Sequence, residues 1–137
     1  MKLDLDPPRN GVARAPVGYP LAMPLLEITT SNDLFENVRE KILREASHLV
    51  ARQLGKSEDS VMVTLRHAHS LFCGESVACA FLELRSAGAL DAQTATRISG
   101  ELCKLMEKEA DVPPQQVYLN FLNVPRGSWG RNGKLIG

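Results

Sequence analysis

An internal repeat restricts the fold of this chain more than any other sequence feature. Residues 26–28 (LEI) match residues 82–84 (LEL), and the same shift along the chain superposes apolar positions of two helical stretches. We therefore divide most of the chain into two strand–helix–strand units, at 24–79 and 80–137. Because a long helix joins the two strands of each unit, these strands are predicted to be parallel neighbours with a right-handed crossover.

Two stretches have the apolar periodicity of amphipathic helices. In the first, apolar residues recur at spacings of three and four across 34–54, and Gly55 suits the left-handed position after a helix end. Residues 31–33 (SND) are predicted to supply its N-cap, with Asp33 and Glu36 spaced as in a capping box. A second helix is predicted to begin after Asp91, a suitable cap, and to end before Pro113.

Four strands are predicted, at 24–30, 61–66, 77–84 and 117–122. The third is apolar on both faces, as is typical of a central strand. The tail, 125–137, is predicted to form turns with a short edge strand. The expected fold class is α+β: two β-α-β repeats that form a four-stranded sheet with both helices on one face. The other face is expected to be partly apolar and uncovered, which predicts oligomerisation.

Length and composition indicate one ordinary soluble domain. Residues 1–22 are rich in proline and lack periodicity, so we expect a flexible leader before a domain at 23–137. The leader has no apolar core of the kind found in secretory signals, and no apolar run of membrane-spanning length is present. Lysine plus arginine equals aspartate plus glutamate at 16 each, which does not favour binding to nucleic acid. An RNA-binding module on a similar sheet is the weakest alternative.

No cofactor or metal is expected. His67 and His69 flank an alanine, but no third ligand lies at a useful spacing. The cysteines, Cys73, Cys79 and Cys103, are odd in number and lack CxxC spacing. Buried free thiols in a reducing compartment are preferred over a disulfide or a metal site, and the expected location is therefore cytoplasmic.

Pro24 opens the first strand and permits two interpretations. Inside an intact chain it is an ordinary proline at the first residue of a strand, where proline is tolerated. As a first residue it would carry a secondary amine, which can act as a general base. Translation from Met23 with removal of the methionine, or proteolysis before Pro24, would produce that amine.

The chain resembles the macrophage migration inhibitory factor and D-dopachrome tautomerase family over about 24–133. The resemblance rests on five stretches in a shared order: 23–24 (MP), 54–56 (LGK), 86–88 (SAG), 117–121 (VYLNF) and 129–133 (WGRNG). It implies a homotrimer with active sites between subunits and no cofactor. It also implies keto–enol tautomerase activity on phenylpyruvate-like α-keto acids and dopachrome-like substrates.

The same resemblance implies roles for five residues. Pro24 would be the base, and Lys56 the cation that binds a substrate carboxylate and lowers the pKa of the prolyl amine. The backbone of Ala87 would line the pocket, while Tyr118 and Asn120 would reach it from the neighbouring subunit. Without the resemblance, Lys56 is a solvated charge near a helix end, and Tyr118 and Asn120 are surface residues of a strand.

A second hypothesis keeps this fold without catalysis. If the leader remained attached it would abolish the amine and block the pocket, leaving a cytokine-like or interaction protein. Under either hypothesis, the resemblance implies release from the cell without a signal peptide as a second location, and a receptor protein as the partner of the released form.

Overall fold

The computed structural model describes residues 23–88 and 90–136. It contains a four-stranded sheet, two long helices and a small hairpin near the carboxyl end. The elements in chain order are β1 (Leu25–Thr30), α1 (Glu36–Leu54), β2 (Met62–His67), β3 (Ala80–Ser86), α2 (Ala92–Ala110), β4 (Val117–Asn123), β5 (Gly130–Arg131) and β6 (Lys134–Leu135). The leader expected at 1–22 lies outside the described residues.

The sheet confirms the repeat that the sequence predicts. Its strand order is β2-β1-β3-β4. β1 and β2 are parallel, as are β3 and β4, and the two units meet where β1 runs antiparallel to β3. Each pair of parallel strands is joined through one helix, as the α+β prediction requires.

The core lies between one face of the sheet and both helices. Alternate residues of the two central strands point into it, and four of them are at most 1% exposed: Leu26, Ile28, Leu82 and Leu84. They pack against one apolar side of α1 and of α2, which contributes Ile42, Ala46, Val50, Ile98, Leu102 and Met106. Both helices therefore cover the same face of the sheet.

The predicted capping box of α1 is wrong. The helix begins at Glu36 after Phe35, which makes no side-chain capping bond. Long-range contacts occupy the polar groups that the sequence assigned to the cap: Ser31 Oγ accepts from the Cys79 N–H at 2.9 Å, and Asn32 donates to the Ala110 carbonyl at 2.7 Å. The segment therefore ties the end of β1 to β3 and α2 before the helix starts.

Two other helix boundaries agree with the prediction. Gly55 has φ 65°, and the Lys56 N–H bonds back to the Ala51 carbonyl at 2.9 Å, which closes α1 in a Schellman arrangement. At the start of α2, Asp91 Oδ1 accepts from the Thr94 N–H at 2.7 Å. That bond lowers the pKa of the Asp91 carboxyl, with smaller contributions from nearby groups.

The third strand and the tail differ from prediction in detail. β3 occupies Ala80–Ser86 rather than 77–84, since the backbone of Cys79 already pairs with Ser31 outside the strand. The short strands of the tail, β5 and β6, pair with each other rather than extending the larger sheet.

The sheet face opposite the helices carries both apolar and charged side chains. Phe81, Tyr118 and Leu122 are 44%, 64% and 40% exposed there. Charged side chains lie among them: Arg85 contacts Glu83 at 2.7 Å and Glu27 at 3.4 Å. This face is therefore partly apolar, with ion pairs between its exposed apolar side chains. Across 23–88 and 90–136, neither helix has the length and apolarity that a membrane span requires.

Candidate active site

Pro24 lies where β1 begins, at one end of the strands of the sheet. We call this end of the sheet the Pro24 edge. Pro24 is less than 2% exposed, and its carbonyl accepts from the Met62 N–H at 3.0 Å. This bond fixes the residue against the start of β2. Met23, only 4% exposed, precedes it with φ 43°, a value that non-glycine residues rarely adopt. Because Met23 is attached, the nitrogen of Pro24 is an amide nitrogen, and the residue that carries it is buried.

Lys56 follows α1 at the same edge. Its backbone is fixed by the Schellman bond to Ala51, and the residue is partly buried. The carbonyls at a helix carboxyl end carry partial negative charge, which favours a cation there. A cationic side chain on a backbone fixed in this way suits the binding of an anionic group.

The strand directions explain how three of the sequence-predicted residues come to one edge. β1 and β2 start there because they are parallel, and α1 returns to it before β2 begins. β3 is antiparallel to β1, with Arg85 opposite Leu25, so it ends at this edge. Ala87 follows directly and is 3% exposed. The topology therefore places Pro24, Lys56 and Ala87 at one end of the sheet.

Tyr118 and Asn120 lie elsewhere in the same chain. β4 runs parallel to β3, and its Tyr118 is level with Phe81 and Thr29. Thr29 is five positions beyond Pro24, about 17 Å along the strand at the usual rise. Tyr118 also points to the outer face, where its ring meets that of Phe72 at 5.1 Å. It therefore cannot complete a site around Pro24 of its own chain.

Asn120 shares that outer face. Its Nδ2 donates to Glu83 Oε2 at 3.1 Å, and Glu83 in turn bonds to Arg85. Neither Glu83 nor Arg85 was predicted to have a role, because this strand was expected to be apolar on both faces. That expectation is wrong: the two residues alternate with buried Leu82 and Leu84 and give the strand a polar face, which Asn120 joins.

The histidine pair shows no metal centre. The rings of His67 and His69 are 5.6 Å apart, and His67 Nε2 lies 3.1 Å from the Ser31 carbonyl oxygen. Within the described part of the chain, no group of three or more histidine, cysteine, aspartate or glutamate side chains has a metal-binding arrangement.

The Pro24 edge combines three groups: the buried nitrogen of Pro24, the cationic side chain of Lys56 and the backbone of Ala87 after the end of β3. Such a set suits proton transfer next to a carbonyl, which needs a base and positive charge or hydrogen-bond donors for the enolate. The base requires a free amine, because an acylated nitrogen does not accept a proton at neutral pH.

Comparisons with known proteins agree with this architecture. The family model described as macrophage migration inhibitory factor matches residues 23–137. A homologue of that factor from Brugia malayi is 28% identical over 116 residues, which span 84% of this chain and 100% of the relative.

Solved structures give the same result. A migration inhibitory factor homologue from Prochlorococcus marinus is 31% identical, with a TM-score of 0.78 over 82% of this chain and 99% of the other. A migration inhibitory factor-like protein from Entamoeba histolytica is 26% identical, with a TM-score of 0.80 over 82% and 98%.

Proposed function

Because the chain belongs to the macrophage migration inhibitory factor family, we propose that it is a keto–enol tautomerase with the freed Pro24 amine as general base. Its substrates are phenylpyruvate-like α-keto acids and dopachrome-like compounds. The observation that carries this proposal is the placement of buried Pro24 at the sheet edge shared with Lys56 and Ala87.

The amine removes a proton from the carbon beside the substrate carbonyl and returns one during ketonisation. A primary α-amine titrates near 8, and a prolyl amine is intrinsically more basic. Burial and the nearby Lys56 cation both lower the pKa of such an amine. Much of the base is then neutral at physiological pH. Lys56 binds the substrate carboxylate, and the Ala87 backbone borders the reacting atoms. No metal or cofactor takes part.

The protein acts as a homotrimer in this proposal. Tyr118 and Asn120 are too far along the sheet to join Pro24 of their own chain, but a neighbouring subunit can bring its copies to that site. There they orient the carbonyl and ring of the substrate. The mixed outer face of the sheet, with exposed Phe81 and Tyr118, is the surface that neighbouring subunits cover.

An alternative function follows from the burial of Met23. With the preceding residues attached, the proline nitrogen is acylated and Met23 is itself buried. The intact chain would then be a non-catalytic interaction protein with a receptor protein as partner. It would reside in the cytoplasm and would also be released from the cell by a route that needs no signal peptide.

One comparison of purified proteins separates these functions. The intact chain, the chain from Pro24 to Gly137, and that trimmed chain with Pro24→Gly are assayed with phenylpyruvate. The proposal expects turnover by the trimmed chain and a loss of at least a hundredfold in Pro24→Gly. The intact chain is expected to be inactive.

Two variants at the end of α1 test the cation. Lys56→Ala should raise KM more than it lowers kcat, while Arg52→Ala, in the last turn of the same helix, should change neither. If the trimmed wild type does not turn over phenylpyruvate or dopachrome, the enzymatic proposal is wrong and the interaction protein is favoured. Full activity in Pro24→Gly would remove Pro24 as the base.

A further inference from the structure

Ser86 and Asn123 have no part in the proposed chemistry, but their side chains bond to backbone groups between β3 and α2. Ser86 ends β3 and is 0% exposed, which is unusual for a polar residue. Its Oγ donates a hydrogen bond to the carbonyl of Gly88, and its own carbonyl accepts from the Val124 N–H at 2.7 Å. Ser86 therefore joins the end of β3 both to the turn that follows and to the end of β4.

Asn123 holds the other end of the same connection. In the sheet it lies directly opposite Ser86. Its Oδ1 accepts from the Leu90 N–H at 3.3 Å, and its Nδ2 donates to the Leu90 carbonyl at 2.9 Å. By pairing with both backbone groups of one residue, the amide acts as a strand neighbour would and fixes the orientation of that residue.

The backbone conformation after Ser86 depends on the hydrogen bond between its hydroxyl and Gly88. Gly88 has φ 86°, in the region that favours glycine. Its carbonyl accepts the Ser86 hydroxyl, so the bond selects one conformation of a residue that otherwise has many. Ala87, 3% exposed, lies between the two bonded residues. The Ser86 contact therefore fixes the backbone on either side of Ala87, and the Asn123 contacts fix Leu90 where the chain enters α2.

This connection is next to Pro24. Leu25 is opposite Arg85 in the antiparallel pair, so continuing that register by one residue brings Pro24 level with Ser86. The bonds of Ser86 and Asn123 thus act on the backbone that borders the position of the proposed base.

We propose that Ser86 and Asn123 are positioning residues that hold the Ala87–Gly88 backbone in the conformation that receives the keto acid beside Pro24. The inference rests on the proposed function, because Ala87 borders the substrate there. Neither side chain touches the substrate. Their effect is on binding geometry, and the protonation of the Pro24 amine does not depend on them.

The test uses the trimmed chain with phenylpyruvate as substrate. Ser86→Ala and Asn123→Ala are each expected to raise KM about five- to tenfold, as the loss of one or two hydrogen bonds implies. The value of kcat and the pH dependence of kcat/KM should stay within about twofold, because the base is unchanged. Ser86→Thr keeps the hydroxyl and is expected to recover much of the loss.

The double variant shows whether both residues act through one segment. If they do, the combined rise in KM is smaller than the product of the two single effects, since residues that share a contact are not additive. A rise equal to the product would contradict a shared segment and overturn the inference.

Thr30→Val is the matched control. Thr30 is 1% exposed and ends β1 at the opposite edge of the sheet, where its Oγ1 accepts from the Asn32 N–H at 3.3 Å. Removing this buried hydroxyl should lower thermal stability as Ser86→Ala does, but leave KM unchanged. Equal changes of KM in both variants would show a general loss of stability and overturn the inference.

The proposed function and this inference fail in different ways. No turnover by the trimmed wild type overturns the proposed function and the role that depends on it. An active wild type with unchanged KM in Ser86→Ala and Asn123→Ala overturns the positioning role alone.

Discussion

Glu109 of α2 contacts Lys41 of α1 across the interface between the two helices, with 3.1 Å between Oε2 and Nζ. The Glu109 side chain is only 10% exposed, whereas that of Lys41 is 50% exposed. The hydrogen bond with Glu109, and then its charge, raise the pKa of Lys41, and Glu45 adds a smaller contribution. The helices are therefore held together by an ion pair as well as by their apolar sides.

The first prediction concerns the pH dependence of this ion pair. Because the pKa of Lys41 is higher in the folded than in the unfolded chain, its stabilisation is complete below the ordinary lysine pKa of 10.5 and is lost as pH rises through the folded value. Glu109→Gln should lower Tm by a constant amount from pH 7 to 9, and this difference should shrink above pH 10.5.

Glu45→Gln is the control for that measurement. Glu45 lies 3.9 Å from Lys41 and is 42% exposed, so its removal should change Tm little. A Tm difference for Glu109→Gln that persists undiminished at the highest measurable pH would contradict the role of the lysine charge.

The second prediction separates the observed start of α1 from the predicted one. Asn32→Ala removes the bond to the Ala110 carbonyl and should lower the free energy of unfolding by about 1 kcal/mol. Asp33→Ala should have almost no effect, because Asp33 does not cap the helix and its ion pair with Arg39 at 3.9 Å is exposed. Urea unfolding of the two variants measures both. A larger loss of stability in Asp33→Ala than in Asn32→Ala would support the capping box instead.

The third prediction concerns assembly through the outer sheet face. If the protein is the proposed trimer, Phe81→Lys places a charge among exposed apolar side chains of its interface and should give a monomer in sedimentation, where the wild type sediments as a trimer. Phe35→Lys is the control, because Phe35 is 83% exposed but precedes α1 on the other side of the sheet. A Phe81→Lys protein that remains trimeric would exclude this face from the interface.

The fourth prediction tests whether each site uses two subunits. In the trimmed chain, Pro24→Gly and Asn120→Ala should each have little activity. When the two are unfolded and refolded together in equal amounts, random assembly places an intact Pro24 beside an intact Asn120 in about a quarter of sites. Activity should therefore return to about that fraction of wild type. A mixture that is no more active than its components would contradict a site built from two subunits.

Part of the candidate site could be predicted because local sequence determines it. Gly55 closes α1 since the left-handed conformation excludes most other residues, and this places Lys56 at a fixed point. Pro24 was predicted at the start of a strand for a similarly local reason, the missing N–H of proline. The positioning contacts of Ser86 and Asn123 had no such signal, because each joins residues that only the sheet brings together.

Two strand–helix–strand units and the apolar sides of both helices could be predicted from the sequence, because periods of two and 3.6 residues follow from backbone geometry alone. The parallel pair within each unit could be predicted because a long helix joins its two strands. Tertiary structure decided which polar groups pair. Ser31 and Asn32 have capping chemistry, yet they bind Cys79 and Ala110 because folding brings those backbone groups within reach. It also decided that Pro24, Lys56 and Ala87 share an edge while Tyr118 and Asn120 do not. That outcome depends on strand order and direction, which periodicity does not encode.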